Sequence, residues 1–174
     1  TLNQKTASCA NALNIVILGD GYQKKDLLKG GKFERSARSA MDSFFGVEPF
    51  KSFKDRFNVY MVAYESTDEG TDIKSAKVEK DTYFNTYCQG GGNTAAYVSD
   101  TSPVITAVKS AVGSSDAQYY RTIAIVLMNT TENSGSTGYP FRDYKSGFVN
   151  GYASFAIAVL AANSTGTNGL VKHE

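Results

Sequence analysis

The stretch that decides the fold is A-L-N-I-V-I-L at residues 12–18, followed directly by Gly19-Asp20-Gly21. A nearly continuous apolar run of this length is typical of a strand that is buried on both faces, as in a layered α/β sheet. The glycine-containing tripeptide predicts a turn at the carboxyl end of that strand. We therefore expect the strand to lie inside a sheet that carries helices.

Two segments further along the chain show helical spacing. After the turn, apolar residues recur every three or four positions from Phe33 to Phe44, which predicts an amphipathic helix. Asp26 is a candidate cap for its start, and Gly46 is placed to end it. A second helix is predicted from Ser102 as N-cap and Pro103 as the first helical residue.

Two more apolar segments have the composition of strands, at residues 57–64 and Thr122–Met128. Because neither shows polar alternation, we expect these two strands and the strand at residues 12–18 to be neighbouring strands of one sheet. A last apolar segment at residues 153–162 is predicted to be an edge strand. Residues 65–95 and 129–138 are polar with little periodicity, and we expect loops there.

The alternation of strands and helices indicates a single α/β domain across residues 1–174, with several parallel strands and right-handed crossovers. The chain begins at Thr1 and ends at Glu174, directly after an apolar segment, so we expect a trimmed or fragmentary product.

The composition excludes several classes of protein. With 41% hydrophobic and 20% charged residues, the chain is globular and not disordered. A net charge of +1 without a concentrated basic patch argues against a nucleic-acid partner, and the lysines near Lys24 and Lys32 are interpreted as a solvated helix face. No apolar run reaches the roughly 20 residues that a membrane span needs. The cysteines, Cys9 and Cys88, leave open both a disulfide and two free thiols.

The histidine content limits the chemistry. His173 is the one histidine of the chain, and it stands beside Glu174 at a predicted helix start. A His-Glu pair is the first half of the H-E-x-x-H motif, in which two histidines bind zinc and the glutamate activates a water molecule. Taken alone, the pair is more often a solvated helix turn.

Other polar patterns carry less information. Gly19-Asp20-Gly21 is either a tight turn in which Asp20 caps backbone amides, which we favour, or a ligand loop at the end of a strand. The carboxylate pairs have no spacing typical of calcium binding or acid–base catalysis and are interpreted as surface charge. The glycosylation patterns at Asn129 and Asn163 are of a kind common by chance.

Several segments, taken together and in this order, resemble the IgA-peptidase family of zinc metallopeptidases, which are mostly secreted bacterial proteins. The most specific of them is N-I-V-I-L-G-D-G-Y at residues 14–22. The others are E-P-F at residues 48–50, R-F-N-V-Y at 56–60, K-D-T-Y-F at 80–84, the strand at 123–129 and L-V-K-H-E at 170–174.

The resemblance implies a zincin-like α/β fold with a mixed, mostly parallel sheet flanked by helices. It implies a zinc-dependent endopeptidase that acts on a protein or glycoprotein substrate by attack of a metal-activated water, and a secreted, cell-surface or periplasmic location. His173 matches the first zinc ligand and Glu174 the general base. The remaining ligands would lie beyond Glu174, so we expect residues 1–174 alone to be inactive. An edge strand beside the cleft would contact the substrate through Gly151, Tyr152, Ala153, Ser154 and Phe155.

Two alternatives remain. The first is a non-catalytic α/β binding module of a secreted or surface protein, which a histidine four positions after His173 would disfavour. The second is a flavodoxin-like small-molecule binder, which would hold a phosphate or cofactor at the loop of residues 19–22.

Overall fold

The computed structural model describes residues 3–4, 12–113, 121–132, 134–138 and 156–162. Its larger sheet has six strands in the order β1-β3-β2-β7-β9-β8, and a smaller sheet has the order β4-β5-β6. In chain order the elements are β1 Asn3–Gln4, β2 Leu13–Asp20, α1 Lys32–Phe44, β3 Phe57–Val62, β4 Asp72–Ile73, β5 Thr86–Gly90, β6 Asn93–Val98, α2 Ser102–Val112, β7 Thr122–Met128, β8 Gly135–Gly138 and β9 Ala156–Ala161.

The centre of the larger sheet is parallel. β3, β2, β7 and β9 run in the same direction, whereas β1 and β8 pair antiparallel at the two sides. The expected neighbours are therefore confirmed, since Asn14 of β2 lies opposite Asn58 of β3 and Thr122 of β7. The α/β fold with a mixed, mostly parallel sheet flanked by helices is confirmed as well.

The two faces of β2 pack against different partners. Successive side chains of a strand point to opposite faces. Ile15 and Ile17 belong to the hydrophobic core that includes Phe33 of α1, while Val16 and Leu18 belong to the core that includes Val104 of α2. Coverage on both faces explains why the strand is apolar throughout.

The helix ends differ slightly from expectation. Asp26 does not cap α1; its carboxylate accepts the N–H of Gln23 and closes a short 3-10 turn at Lys24–Leu27. α1 ends with Phe45 as its C-cap, one residue before Gly46. The N-cap of α2 is Thr101, also one residue from the predicted position.

The smaller sheet lies in a region that was predicted to be irregular, and that prediction was wrong. β5 and β6 pair antiparallel, and their inner side chains Cys88 and Ala96 are fully buried in the same core as Val104. Tyr87 and Tyr97 face each other on the other side of the pair, with ring centroids 5.3 Å apart. Small residues on the inner face give little hydrophobic periodicity, so the strands depend on packing against the larger sheet.

The edge strand also differs from the prediction. β9 is paired on both sides, in parallel with β7 and antiparallel with β8, so it is not an edge strand. The outermost strand on this side of the described sheet is β8, which lies in a segment predicted to be a loop. Its sequence, G-S-T-G, has no apolar signal because it is short and begins and ends with glycine.

The predicted substrate-contacting residues Gly151, Tyr152, Ala153, Ser154 and Phe155 lie outside the described residues. Among the helices in the described part of the chain, none has the length and apolar character to cross a membrane.

Candidate functional site at the carboxyl ends of the strands

The carboxyl ends of β2 and β7 lie side by side, with Asp20 opposite Met128. In open α/β sheets this is the side on which ligands bind. In the sequence, His173 and Glu174 come 12 and 13 residues after the end of β9. Both of those residues lie outside the described part of the chain, so their proposed roles stay predictions.

Asp20 is the central polar group of this region and is fully buried. Its Oδ1 accepts the backbone N–H of Phe84 at 2.8 Å. Its Oδ2 accepts the backbone N–H of Thr86 at 3.0 Å and the hydroxyls of Thr86 and Thr82 at 2.6 and 2.8 Å. Hydrogen bonds to a carboxylate are among the stronger ones in proteins. Asp20 therefore ties the start of the smaller sheet to the end of β2.

This finding separates the two interpretations of Gly19-Asp20-Gly21. Asp20 does accept backbone amides, as expected for the turn, but those amides lie 64 and 66 residues further along the chain. Four donors occupy its two oxygens, which leaves the carboxylate committed to the protein itself. The structural role is favoured over a ligand loop.

A second hydroxyl continues the network. The Thr86 hydroxyl has one proton, which it must donate to Asp20 because a carboxylate only accepts. Thr71 Oγ1 lies 2.8 Å from Thr86 Oγ1 and 2.6 Å from the Thr86 carbonyl oxygen, and its single proton serves one of these two acceptors. The same Thr71 oxygen is 3.8 Å from the sulfur of Met128. Buried polar contacts thus run from Asp20 through Thr86 and Thr71 to the end of β7.

Gly21 has both of its backbone polar groups satisfied by the loop at residues 66–70. Its N–H donates to Ser66 Oγ at 3.0 Å, and its carbonyl accepts the N–H of Gly70 at 3.1 Å and Asn129 Nδ2 at 2.8 Å. A phosphate would need free amides at this turn. The occupied N–H of Gly21 and the adjacent Asp20 carboxylate disfavour the flavodoxin-like alternative.

Glu69 connects this loop to the start of α1. Its carboxylate forms ion pairs with Lys32 at 3.1 Å and with Lys25 at 3.4 Å, and the hydrogen bond from Lys32 is the main cause that lowers the pKa of Glu69. Asn129 Nδ2 lies 3.4 Å from the same carboxylate. Asn129 is buried and donates inward, so the glycosylation pattern at this position does not mark an accessible acceptor in the fold.

The described residues do not supply a metal centre. No group of three or more His, Cys, Asp or Glu side chains among them is arranged to hold a metal ion. Catalytic zinc requires three protein ligands, so this part of the chain does not fit a zinc site by itself. Cys88 is a buried free thiol, and burial raises its pKa. Cys9 lies outside the described residues.

Sequence reasoning missed Thr71, Thr86 and Asn129 as partners in this region. A signal for part of the network was nevertheless present, because two of the segments that carry the family resemblance meet here. Asp20 belongs to N-I-V-I-L-G-D-G-Y, and its partners Thr82 and Phe84 belong to K-D-T-Y-F.

Comparison with known protein families gives a match over most of the chain. The family model of the IgA Peptidase M64 family matches residues 2–164. The matched range contains every helix and strand described above, and it ends before His173. No curated protein matches the chain. The chain belongs to the IgA peptidase M64 family, and thus to a family of metallopeptidases.

Proposed function

We propose that the complete catalytic domain containing this chain is a zinc-dependent endopeptidase that cleaves a protein or glycoprotein substrate. The observation that carries the proposal is the family match over residues 2–164, which spans both sheets and both helices. The H-E pair at residues 173–174 supports it from the sequence, because it follows the last matched strand at the start of a predicted helix.

His173 and Glu174 have separate roles in this proposal. His173 is a zinc ligand through one ring nitrogen, and further ligands come from residues beyond Glu174. Zinc, when bound, would polarise the substrate carbonyl and lower the pKa of a water molecule to about 7. Glu174 does not bind the metal; its carboxylate accepts the proton of the attacking water as general base.

The substrate backbone is proposed to pair with β8. The outer side of this strand has no hydrogen-bonded partner among the described strands, and an unpaired edge offers N–H and C=O groups to an extended peptide. This assignment replaces β9, which is paired on both sides. Residues Gly151, Tyr152, Ala153, Ser154 and Phe155, which precede β9, stay a prediction for additional substrate contacts.

Residues 1–174 by themselves are proposed to have no stoichiometric catalytic zinc and no peptidase activity. The chain contains one histidine, and its described residues form no cluster that could hold a metal. A single histidine is too few ligands for catalytic zinc.

The test compares the complete domain with two variants. Glu174→Gln should lower turnover on casein or a mucin-type substrate by about 100-fold or more while zinc content per chain stays unchanged. His173→Ala should lose both zinc and activity. Glu65→Gln, the same change at an exposed carboxylate of the same chain, is the matched control and should retain both.

Two results would contradict the proposal: a complete domain that binds no zinc, or full activity in Glu174→Gln. In either case the non-catalytic α/β binding module becomes the better hypothesis. The family resemblance also supports a secreted, cell-surface or periplasmic location in a bacterium, which fractionation of cells that express the complete gene would test.

A further inference from the structure

We propose that the stacked tyrosines Tyr64 and Tyr83 form a binding platform for arginine side chains in a cationic segment of the protein substrate. Tyr64 follows the carboxyl end of β3, on the side of an open α/β sheet where ligands bind. Assigning the bound segment to the substrate rests on the proposed function, whereas the platform itself consists of residues that the structure describes.

The two rings form a flat aromatic surface that is partly open to solvent. Their centroids lie 4.2 Å apart, with an interplanar angle of 22°. The buried ring of Phe84 meets both of them edge to face, with its centroid 5.4 Å from that of Tyr64 and 4.9 Å from that of Tyr83. Tyr83 remains 43% exposed although Tyr64 covers one face of its ring. The other face and the outer edge of Tyr83 are therefore accessible to a ligand.

Backbone hydrogen bonds hold the platform in place before anything binds. The N–H of Tyr83 donates to Ser66 Oγ at 3.1 Å, and the N–H of Phe84 donates to Asp20 Oδ1 at 2.8 Å. Both acceptor residues are buried in the fold. Because the backbone around Tyr83 is fixed in this way, little conformational entropy is lost when a ligand stacks on its ring.

The segments that carry the two tyrosines are acidic. Two hydrogen bonds of 2.9 Å join them, from the N–H of Asp68 to the carbonyl of Asp81 and from the N–H of Asp81 to Asp68 Oδ2. Glu69 is already paired with Lys25 and Lys32. The other charged residues at positions 64–69 and 79–83 are four carboxylates and one lysine: Glu65, Asp68, Glu79, Asp81 and Lys80. This local charge favours a cationic ligand and disfavours an anionic one.

Asp81 places one of these carboxylates beside the open ring. Exposure alternates along the segment, since Asp81 and Tyr83 are exposed whereas the residues that follow each of them, Thr82 and Phe84, are buried. The side chains of Asp81 and Tyr83 thus lie on the solvent side together. Arginine is favoured over lysine here, because a guanidinium stacks flat on an aromatic face and directs its N–H groups to a carboxylate in the same plane.

The chain contains an internal example of the same chemistry. Lys74 Nζ lies 5.0 Å from the centroid of the Tyr87 ring, and the carboxylate of Asp72 lies 3.0 Å from that nitrogen. A cation is held there between an aromatic face and a carboxylate of the same protein. At Tyr83 and Asp81 the ring and the carboxylate are present, and the ligand would supply the cation.

The experiment measures peptide binding to the complete catalytic domain by NMR titration at low salt. The probe is a blocked peptide in which two arginines are separated by one glycine. The matched peptide has citrulline in place of arginine, which keeps the planar shape but removes the charge. Tyr83→Leu, Tyr83→Phe and Asp81→Asn test the platform. Tyr97→Leu and Asp55→Asn are the control variants, since Tyr97 is 42% exposed on the smaller sheet and Asp55 is an exposed carboxylate before β3.

The arginine peptide should bind with a Kd on the order of 1 mM, and the citrulline peptide about tenfold more weakly. The methylene protons of the bound arginine side chain should shift upfield, as protons above an aromatic face do. Tyr83→Leu should weaken binding about fivefold, whereas Tyr83→Phe should stay within about twofold of the parent. Asp81→Asn should weaken binding about threefold and reduce its salt dependence. Both control variants should bind as the parent does.

Equal binding of the arginine and citrulline peptides would overturn the proposal, and so would parent affinity in a folded Tyr83→Leu. If that variant does not fold, Asp81→Asn and the citrulline peptide decide. Binding of a neutral mucin-type oligosaccharide at Tyr83, without binding of the arginine peptide, would assign the platform to glycans and refute the cationic ligand.

Peptidase assays on the same domain separate this proposal from the proposed function. A domain that binds the arginine peptide through Tyr83 but cleaves no protein refutes the proposed function and leaves the platform in place. An active peptidase that does not bind the peptide refutes the platform alone.

Discussion

Gly21 and Gly70 lie in direct backbone contact, and Gly21 has no room for a side chain on the side that faces Gly70. The N–H of Gly70 donates to the carbonyl of Gly21 at 3.1 Å. A Cβ placed on Gly21 would lie 1.7 Å from the Gly70 carbonyl oxygen, and Gly21 has a φ of +73°. This contact closes the loop at residues 66–70 onto the end of β2.

Gly21→Ala should therefore destabilise the fold severely, by roughly 4 kcal/mol or more, because it combines a backbone clash with an unfavourable φ. Gly30→Ala is the matched control, since Gly30 has the same φ of +73° but nothing within 4 Å of the added Cβ. The free energy of unfolding of this control should fall by only about 1–2 kcal/mol. Urea unfolding of both variants measures the difference, and equal losses would contradict the importance of the contact.

Replacement of Lys77 by glycine should stabilise the fold. Its φ is +53°, in the left-handed region, at the end of a short 3-10 turn, and its side chain is exposed. Removing the Cβ relieves that strain, so Lys77→Gly should raise the free energy of unfolding by up to about 1 kcal/mol. Lys51→Gly, at an exposed position without a positive φ, should lower it. A loss of stability in Lys77→Gly would show that its side chain contributes more than the backbone strain costs.

The ion pair between Lys32 and Glu69 should contribute to stability in a pH-dependent way. The pKa of Glu69 in the fold is lowered from 4.5, first by the hydrogen bond from Lys32. A lowered pKa means that the contribution is present above the unfolded pKa and is lost as pH falls through the folded value. Because Glu69 is partly exposed, the coupling should be below about 1 kcal/mol.

A double-mutant cycle with Lys32→Gln and Glu69→Gln, followed by thermal unfolding, measures this coupling. We expect a favourable coupling at pH 7 that disappears at strongly acid pH and weakens in high salt. Coupling that persists after the carboxylate is protonated would exclude the electrostatic explanation.

The Cys88 thiol should be unreactive in the native protein. It is fully buried, and burial raises its pKa, so the reactive thiolate is scarce. In a Cys9→Ser background, alkylation by iodoacetamide at pH 8 should be slower than in denaturant by on the order of 100-fold or more. Rapid native labelling, followed by mass spectrometry, would show that the region around β5 opens readily.

The sequence by itself determined the three central strands, their place in one sheet and the family. β2, β3 and β7 were predictable because parallel strands covered on both faces must be apolar along their whole length. The end of α1 and the start of α2 were predictable to within one residue, because helical periodicity and capping residues are local properties. The start of α1 was not, since its N-cap is Gly31 and not Asp26. The family resemblance rested on six segments, of which the matched range contains all but L-V-K-H-E at residues 170–174.

Tertiary structure alone decided which polar residues meet and which strand lies at the edge. The partners of Asp20 are more than 60 residues away in sequence, and hydrogen bonds over that distance leave no periodic pattern. β5, β6 and β8 contain glycine, small and polar residues whose strand conformation depends on neighbours that the sequence does not specify locally. The apolar composition of β9 follows from the burial of its two faces. It does not indicate whether both edges are paired, because the edges pair through backbone groups.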